Sequence, residues 1–576
     1  MKIHEAASPE FEALSGTDIF VHGHLPIVSA YCRRLGLAET VDRMVPSQMQ
    51  LRPGLAVQTM VLDVLSGRSP LYRVQEFMAE QDVELLLGEH VPAEMFNDTN
   101  LGRSLDAVFT AGTSKIITEM GVRAASIFGL DTGKVSYDTT STSVWGDYQS
   151  CAGDDCPPGP VVTWGHSKDH RPDLKQFMTE LLCVDSAVPI FGKTLDGNSS
   201  DKTSNNEILS RISSLMARHG LEEGAFVYVA DSAMVTEGNL SAMGGNRFVS
   251  RLPANYAECG RAIAAAVAEG QWHHAGRLAE TPTGVNRPNA EYKLQERVVN
   301  LHGTDYRAVV VHSSSHDRRR RKKVDRILAE SQKALVAELG KLETVYFCRA
   351  DAEAAAAKVG TLAGKMHSTV PEITETCRRK RGRPPKDGPA STTTRYMLSW
   401  RIVEDTAAVE KARAEAGCFV LLTNVPLPGE GGMDARELLK TYKGQYGVEN
   451  NFSFLKDPLV VNDLFLKTPS RIDALGMVFV LALMVWRLME RSMRTHLKNT
   501  KTTLTGWRNR KTDRPTAFMM TTAMTGIMVA KGAGKRHFLN KPKPRQIEFI
   551  EALGVAVDAF INTRYRCEII TPGIGP

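Results

Sequence analysis

Apolar residues recur at helical spacing through roughly the first 125 positions, in LAVQTMVLDVLSG and LGRSLDAVFTAGTSKIITEM, and the breakers RPG, SGRSP and FNDTN divide them. The pattern predicts several short helices. The period then changes to two: Lys134–Trp145, Gln176–Phe191 and Phe226–Met234 are rich in β-branched and apolar residues and predict strands. A helix over Asn205–Gly220 separates the second from the third. Strands first, then a helix and another strand, predict a mixed sheet with helices packed on it. From about 256 to 435 short strands (YRAVVVH, RYMLSWRIV, CFVLLTNV) alternate with Ala-rich helices and a Pro/Gly/Lys/Arg loop. Ala435–Arg494 is helical again, and a basic region follows.

One stretch of that last helical segment, YKGQYGVENNFSFLK, is unusual. Tyr442, Gln445, Glu449, Phe452 and Lys456 are spaced three, four, three and four apart, which places all five on one face of an α-helix. A core stripe would be apolar, and this one carries an amide, a carboxylate and an ammonium. Gly444 and Gly447 interrupt it, each at a cost of up to about 1 kcal/mol relative to Ala.

At 576 residues the chain exceeds a single core and predicts several domains. The most apolar run, Met477–Trp486, is shorter than the ~20 residues of a membrane span and reads as a buried core helix. With no apolar h-region near the N-terminus, the expectation is a cytoplasmic protein with no membrane partner. Nine scattered cysteines suggest no disulfide framework.

Charge is uneven. Between Arg491 and Arg545 fourteen Lys/Arg face one acidic residue, Asp513. RRRRKK (Arg318–Lys323, with Arg318, Arg319 and Arg320 leading) opens a helix whose buried face is Val324, Ile327, Leu328, Ser331, Leu335, Leu339 and Leu342. Such a cluster opposes the helix dipole, a cost that phosphates would offset. In CRRKRGRPPK, the R-G-R-P of Arg381–Pro384 fits an AT-hook, in which Arg381 and Arg383 enter a narrow minor groove. A solvated basic loop is the other reading.

Asp138 closes the alternation of V-S-Y-D, and Asp231 that of F-V-Y-V-A-D. A carboxylate at the end of a buried strand is costly unless paired or bound to a cation. Adjacent strands lie ~4.8 Å apart, so two such residues can share a metal pair, with Glu449 closing the site from the helix. The other reading makes both aspartates turn formers. Cys151, Cys156, His166 and His170 are spaced near a zinc-finger pattern, but the spacer is too short and holds PPGP. Lys168, His170 and Arg171 either face DNA or make turn contacts with Asp169 and Asp173; Trp145, Trp400 and Trp486 read as core.

Taken together, these residues resemble the insertion-sequence transposases of the DDE class, in the large branch named after insertion sequence four. Members carry a Y-x-x-R-x-x-x-E-x-x-x-x-x-x-K signature, here Tyr442, Gln445, Glu449 and Lys456, with Gln445 where the signature has arginine. FNDTNLGRSLDAVFTAG, GHSKDHRPDLKQ and GNSSDKTSN also look like blocks of one sub-branch. The resemblance implies an α/β catalytic core of ribonuclease-H-like type, a mixed sheet with flanking helices, with Asp138, Asp231 and Glu449 as ligands of two Mg²⁺ ions (Mn²⁺ can substitute). Its domain plan is a mainly α DNA-end-binding region (1–125), core halves at 126–255 and 436–495, a β-rich insertion at 256–435 and a basic region (496–576). Tyr442, Gln445 and Lys456 would contact DNA phosphate, and partners would be double-stranded DNA and a second copy of the chain on it. A DNA nuclease without strand transfer, or a non-catalytic DNA-binding descendant, are the alternatives.

Overall fold

The computed structural model describes residues 17–146, 148, 158–185, 187–209, 211–278, 289–379, 392–429, 431–457 and 466–565. It divides into two compact units: Met1–Val249 with Thr441–Pro576, and Ser250–Lys440. The protein is a mixed α/β structure.

After a short strand (Asp18–Val21) the first unit continues with helices, several of which begin at the breakers. Helix α1 (Pro53–Leu65) has proline in its first turn and is buried along its whole length. Helix α2 (Asp98–Ala111) is capped by Asn97, whose side chain accepts from the Asn100 N–H (2.9 Å), and α3 (Thr113–Phe128) follows. Strands β1 (Lys134–Val144), β2 (Lys175–Val184) and β3 (Val188–Leu195) form an antiparallel meander. The expectation of one strand over Gln176–Phe191 is corrected: Asp185, at φ 46°, lies between β2 and β3 where the chain reverses. Aspartate tolerates that left-handed backbone. Helix α4 (Asp201–Leu209) and a separate short helix, Ile212–Ala217, replace the single one expected. Strand β4 (Val227–Ala230) then lies parallel to β1, giving the order β3-β2-β1-β4.

The chain returns to this unit through α5 (Ala435–Gly444), α6 (Tyr446–Leu455) and α7 (Pro469–Thr500). The apolar run sits inside α7, a 32-residue helix long and apolar enough to cross a membrane, but 83% of its apolar window is buried in the protein. It packs on α1, α2, α3 and β3 and forms the centre of the unit. Helix α3 reaches β3 through Gly121, where a Cβ would stand 2.4 Å from the Ile190 carbonyl oxygen. We expect Gly121→Val to lower stability by about 1–3 kcal/mol or more, read from thermal melting of the full chain; unchanged melting would refute this close packing.

The basic region after Arg491 is not a free tail. Arg491 donates to Asp185 (2.6 Å) and to the carbonyls of Phe128 and Gly129. Arg536 forms a buried two-pronged pair with Asp82 (2.5 and 2.9 Å) and also bonds Glu84 (2.8 Å).

In the second unit, strands Cys418–Thr423, Thr304–Ser313, Glu291–Leu301 and His273–Arg277 pair antiparallel in that order. Strands His367–Arg379 and Thr392–Glu404 form a long ribbon, edged by Val345–Tyr346. Helices Ala257–Glu269, Ser314–Leu339, Arg349–Thr361 and Thr406–Ala416 take as large a share, so this unit is α/β rather than β-rich. The Ser314–Leu339 helix buries Val324, Ser331, Leu335 and Leu339 as its periodicity predicts. The R-G-R-P stretch, with Arg381 and Arg383, lies outside the described residues.

Candidate functional site

Alternation along β1 points Tyr137 and Asp138 to opposite faces of the sheet. Tyr137 is buried, donates to Glu180 Oε2 (2.8 Å) and stacks on Tyr228 of β4 (ring centroids 6.1 Å). The Tyr228 hydroxyl in turn donates to Asn205 Oδ1 (3.1 Å). This network fixes β1 beside β4 from behind. Ser136 pairs with Val229, and Asp138 on β1 and Asp231, one residue past the end of β4, each lie two residues further on. Asp138 is not at the end of its strand: β1 runs on to Val144 beside β2, because TTSTSV is rich in β-branched residues, and nearly all of this continuation is buried. What ends at Ser136 is only the pairing with β4.

Helix α6 packs on the Asp138 face. Asn451 donates to the Ala187 carbonyl (2.8 Å) and to Cys183 Sγ (3.3 Å), and Cys183 pairs with Ser136, on the same face as Asp138. Arg487 Nε fixes the Asn451 oxygen (2.6 Å). The stripe does not lie on one continuous helix, as expected from its spacing, because the chain breaks between Gly444 and Tyr446. No atom lies within 4 Å of the place a Cβ would take at Gly444, so close approach of the sheet does not explain that glycine. Gln445, at the break, is buried and donates to the Tyr137 carbonyl (3.4 Å), beside Asp138. Its neutral amide serves the junction of helix and strand. Glu449 stands one turn later and is exposed; Phe452 beneath it is buried.

Burial pushes the Asp138 carboxyl up to about 7; Asp231 and Asp201 push the same way, while Lys168 and the Thr139 N–H oppose them. Asp231 is also raised, mainly by burial, with Asp201 adding to it. Asp201 was not among the expected site residues, although it lies in the GNSSDKTSN block. Lys168 Nζ bonds the Thr139 carbonyl (2.7 Å), its hydroxyl (2.9 Å) and Asp201 (3.1 Å). Only the fold brings Asp201 into the site; Lys168, expected to face DNA or to make turn contacts with Asp169 and Asp173, bonds Thr139 and Asp201.

Two half-buried carboxylates close enough to repel one another, with a third nearby, are a donor set suited to a hard divalent cation. Among the described residues, however, no three His, Cys, Asp or Glu side chains gather into one metal-binding cluster. Asp138 and Asp231 come together; Glu449 is not gathered with them. Lys456 Nζ pairs with Asp169 (2.6 Å), and Tyr442 is half-buried in the first unit. Arg320 lies in the long helix of the second unit, where Arg318 and Arg319 have side chains outside those described.

The profile of a family described only as a domain of unknown function (DUF4277) matches residues 17–122. That is the helical region before β1. No curated protein matches the chain.

Three remaining expectations resolve differently. Arg171 makes a two-pronged contact with Asp173 (2.9 and 2.7 Å), as the turn reading has it. Trp145 is corrected: it lies just past the last paired residue of β1, is 66% exposed and carries the Arg171 guanidinium over its ring at 4.8 Å. Cys151 and Cys156 lie outside the described residues.

Proposed function

We propose that the chain is a DDE-type DNA transposase that cleaves at the ends of its insertion sequence and joins the freed 3′-OH to target DNA. The observation that carries this reading is the approach of Asp138, on β1, to Asp231, just past the end of the parallel strand β4, with both carboxyls pushed above the ordinary range. The antiparallel meander β1-β2-β3 with β4 parallel beside β1 supports a ribonuclease-H-like core. Asp138 and Asp231 would hold Mg²⁺, and Glu449 would join them once DNA is bound. The metal pair would supply activation of the attacking oxygen and stabilisation of the leaving one.

The chain's own groups do the rest. The Tyr137–Glu180 bond ties β1 to β2, the Tyr228–Asn205 bond ties β4 to α4, and the stacked tyrosine rings join β1 to β4 behind the aspartates. The anchored Asn451 keeps α6 against β1, setting where Glu449 can reach. Lys456, just past the end of α6 and paired with Asp169 in the free protein, would neutralise a phosphate near the scissile bond.

Incubating the protein with Mg²⁺, labelled end DNA and a supercoiled plasmid tests the reading. A transposase moves label into the plasmid; cleavage with no transfer would identify a nuclease, and end binding with neither reaction a non-catalytic DNA-binding protein.

A further inference from the structure

The loop from Gly165 to Arg171 carries two adjacent, opposite charges, and each meets one half of the proposed site. The Lys168 ammonium lies among the carboxylates. It bonds Asp201 (3.1 Å) and the Thr139 carbonyl and hydroxyl, one residue past Asp138, and its charge acts on both Asp138 and Asp231. The next residue, Asp169, turns the other way and pairs with Lys456 (2.6 Å). The loop is held in this position by the bond from the Lys168 N–H to Ser141 Oγ (3.0 Å), on the same strand as Asp138. His170 follows at φ 57°, a left-handed backbone that turns the chain sharply after the pair.

We propose that Lys168 and Asp169 form a self-plug of the site, a proposal that rests on the transposase reading: Lys168 stands in for the divalent cation and Asp169 for the DNA phosphate. The free protein thereby neutralises both the carboxylate pair and the phosphate-binding lysine within one loop. Metal then binds against the charge of the nearby ammonium, which acts on Asp138 and Asp231 without bonding them, and DNA binds by exchange with Asp169. The arrangement lowers affinity for metal alone or DNA alone, and it favours loading when both are present, because release of either charge removes one of the loop's two ion pairs. The functional consequence is a site that takes up free ions only weakly until DNA arrives. Neither residue needs to touch the reacting atoms; both are positioning residues.

The test uses the full chain without its end sequence, since phosphate contacts are sequence-independent. Free Mn²⁺ is followed by electron paramagnetic resonance in the DNA-free protein. We expect Lys168→Met to bind Mn²⁺ roughly tenfold more tightly than wild type, and Lys168→Arg to bind it as wild type does. Separately, Asp169→Asn should bind a mixed-sequence duplex about threefold to fivefold more tightly, and this gain should vanish in a Lys456→Met background. The second arm concerns a partly exposed ion pair, so it stands even where Lys168→Met does not fold. Unchanged or weaker Mn²⁺ binding by a folded Lys168→Met variant overturns the cation half. A gain from Asp169→Asn that persists without Lys456 overturns the phosphate half. A wild-type protein that binds neither Mn²⁺ nor duplex DNA overturns the transposase reading and the plug with it, whereas wild-type binding of both with unresponsive variants overturns the plug alone.

Discussion

Asp138→Asn should abolish Mg²⁺-dependent DNA cleavage and, in metal-free buffer at pH 8, raise the melting temperature by several degrees. The two effects have one cause. A carboxyl that titrates at about 7 in the folded chain and near 3.8 when free costs the fold on the order of 4 kcal/mol once both forms are ionised. Below pH 3.8 the group is protonated in both states and costs nothing. Between 3.8 and about 7 only the unfolded chain ionises, so the penalty grows as pH rises, and above about 7 it is constant. The gain from Asn should therefore be small at pH 4 and full at pH 8. Melting curves at both values, with a chelator present, check this. A variant less stable than wild type at pH 8 would mean that Asp138 is held by favourable contacts and not strained. The trade of stability for a charged site is common where function needs buried charge.

Arg536→Met should cost about 3–5 kcal/mol, the usual result of breaking a buried pair on one side only. Both partners are nearly inaccessible, with 5% and 0% of their side chains exposed. Burial alone would raise the Asp82 carboxyl, and the Arg536 contacts outweigh it, so Asp82 titrates below the ordinary carboxylate range. A depressed carboxyl stabilises the fold above its unfolded value, and that contribution is lost as pH falls through the folded one. Acid should therefore narrow the gap between wild type and variant. Adding Asp82→Asn to Arg536→Met should recover part of the loss, because no bare charge then stays buried. A single variant that melts like wild type would show that Lys531, 3.7 Å from Asp82, replaces the arginine.

The sequence announced those parts of the molecule that depend on neighbours along the chain. Breakers placed the ends of α1 and α2, and alternation placed β1 and β4. The strands that lead to Asp138 and Asp231 were legible from their apolar and β-branched residues, but that β1 and β4 are neighbours is set by the fold. Other features were not legible, for physical reasons. The reversal at Asp185 is built from residues that also suit a strand, so β2 and β3 read as one. The stripe from Tyr442 to Lys456 has perfect helical spacing, but spacing does not register a break at Gly444. Trp145 is apolar in its local context and yet exposed, since burial depends on where the sheet stops. Lys168 and Asp201 enter the site from distant segments, and their roles exist only after folding. Conversely, much of the charge after Arg491 is tied into carboxylates and carbonyls, so a count of basic residues overstates what is free to meet DNA.

Glu449 decides the account. It is exposed and one turn away from the residue that touches β1 beside Asp138, so its part in the site is the step that the free protein leaves open. The direct measurement is Mg²⁺-dependent cleavage of labelled end DNA by Glu449→Gln, with end binding measured on the same preparation. The transposase reading predicts that cleavage is lost and binding is nearly unchanged. Retained metal-dependent cleavage by that variant would contradict it.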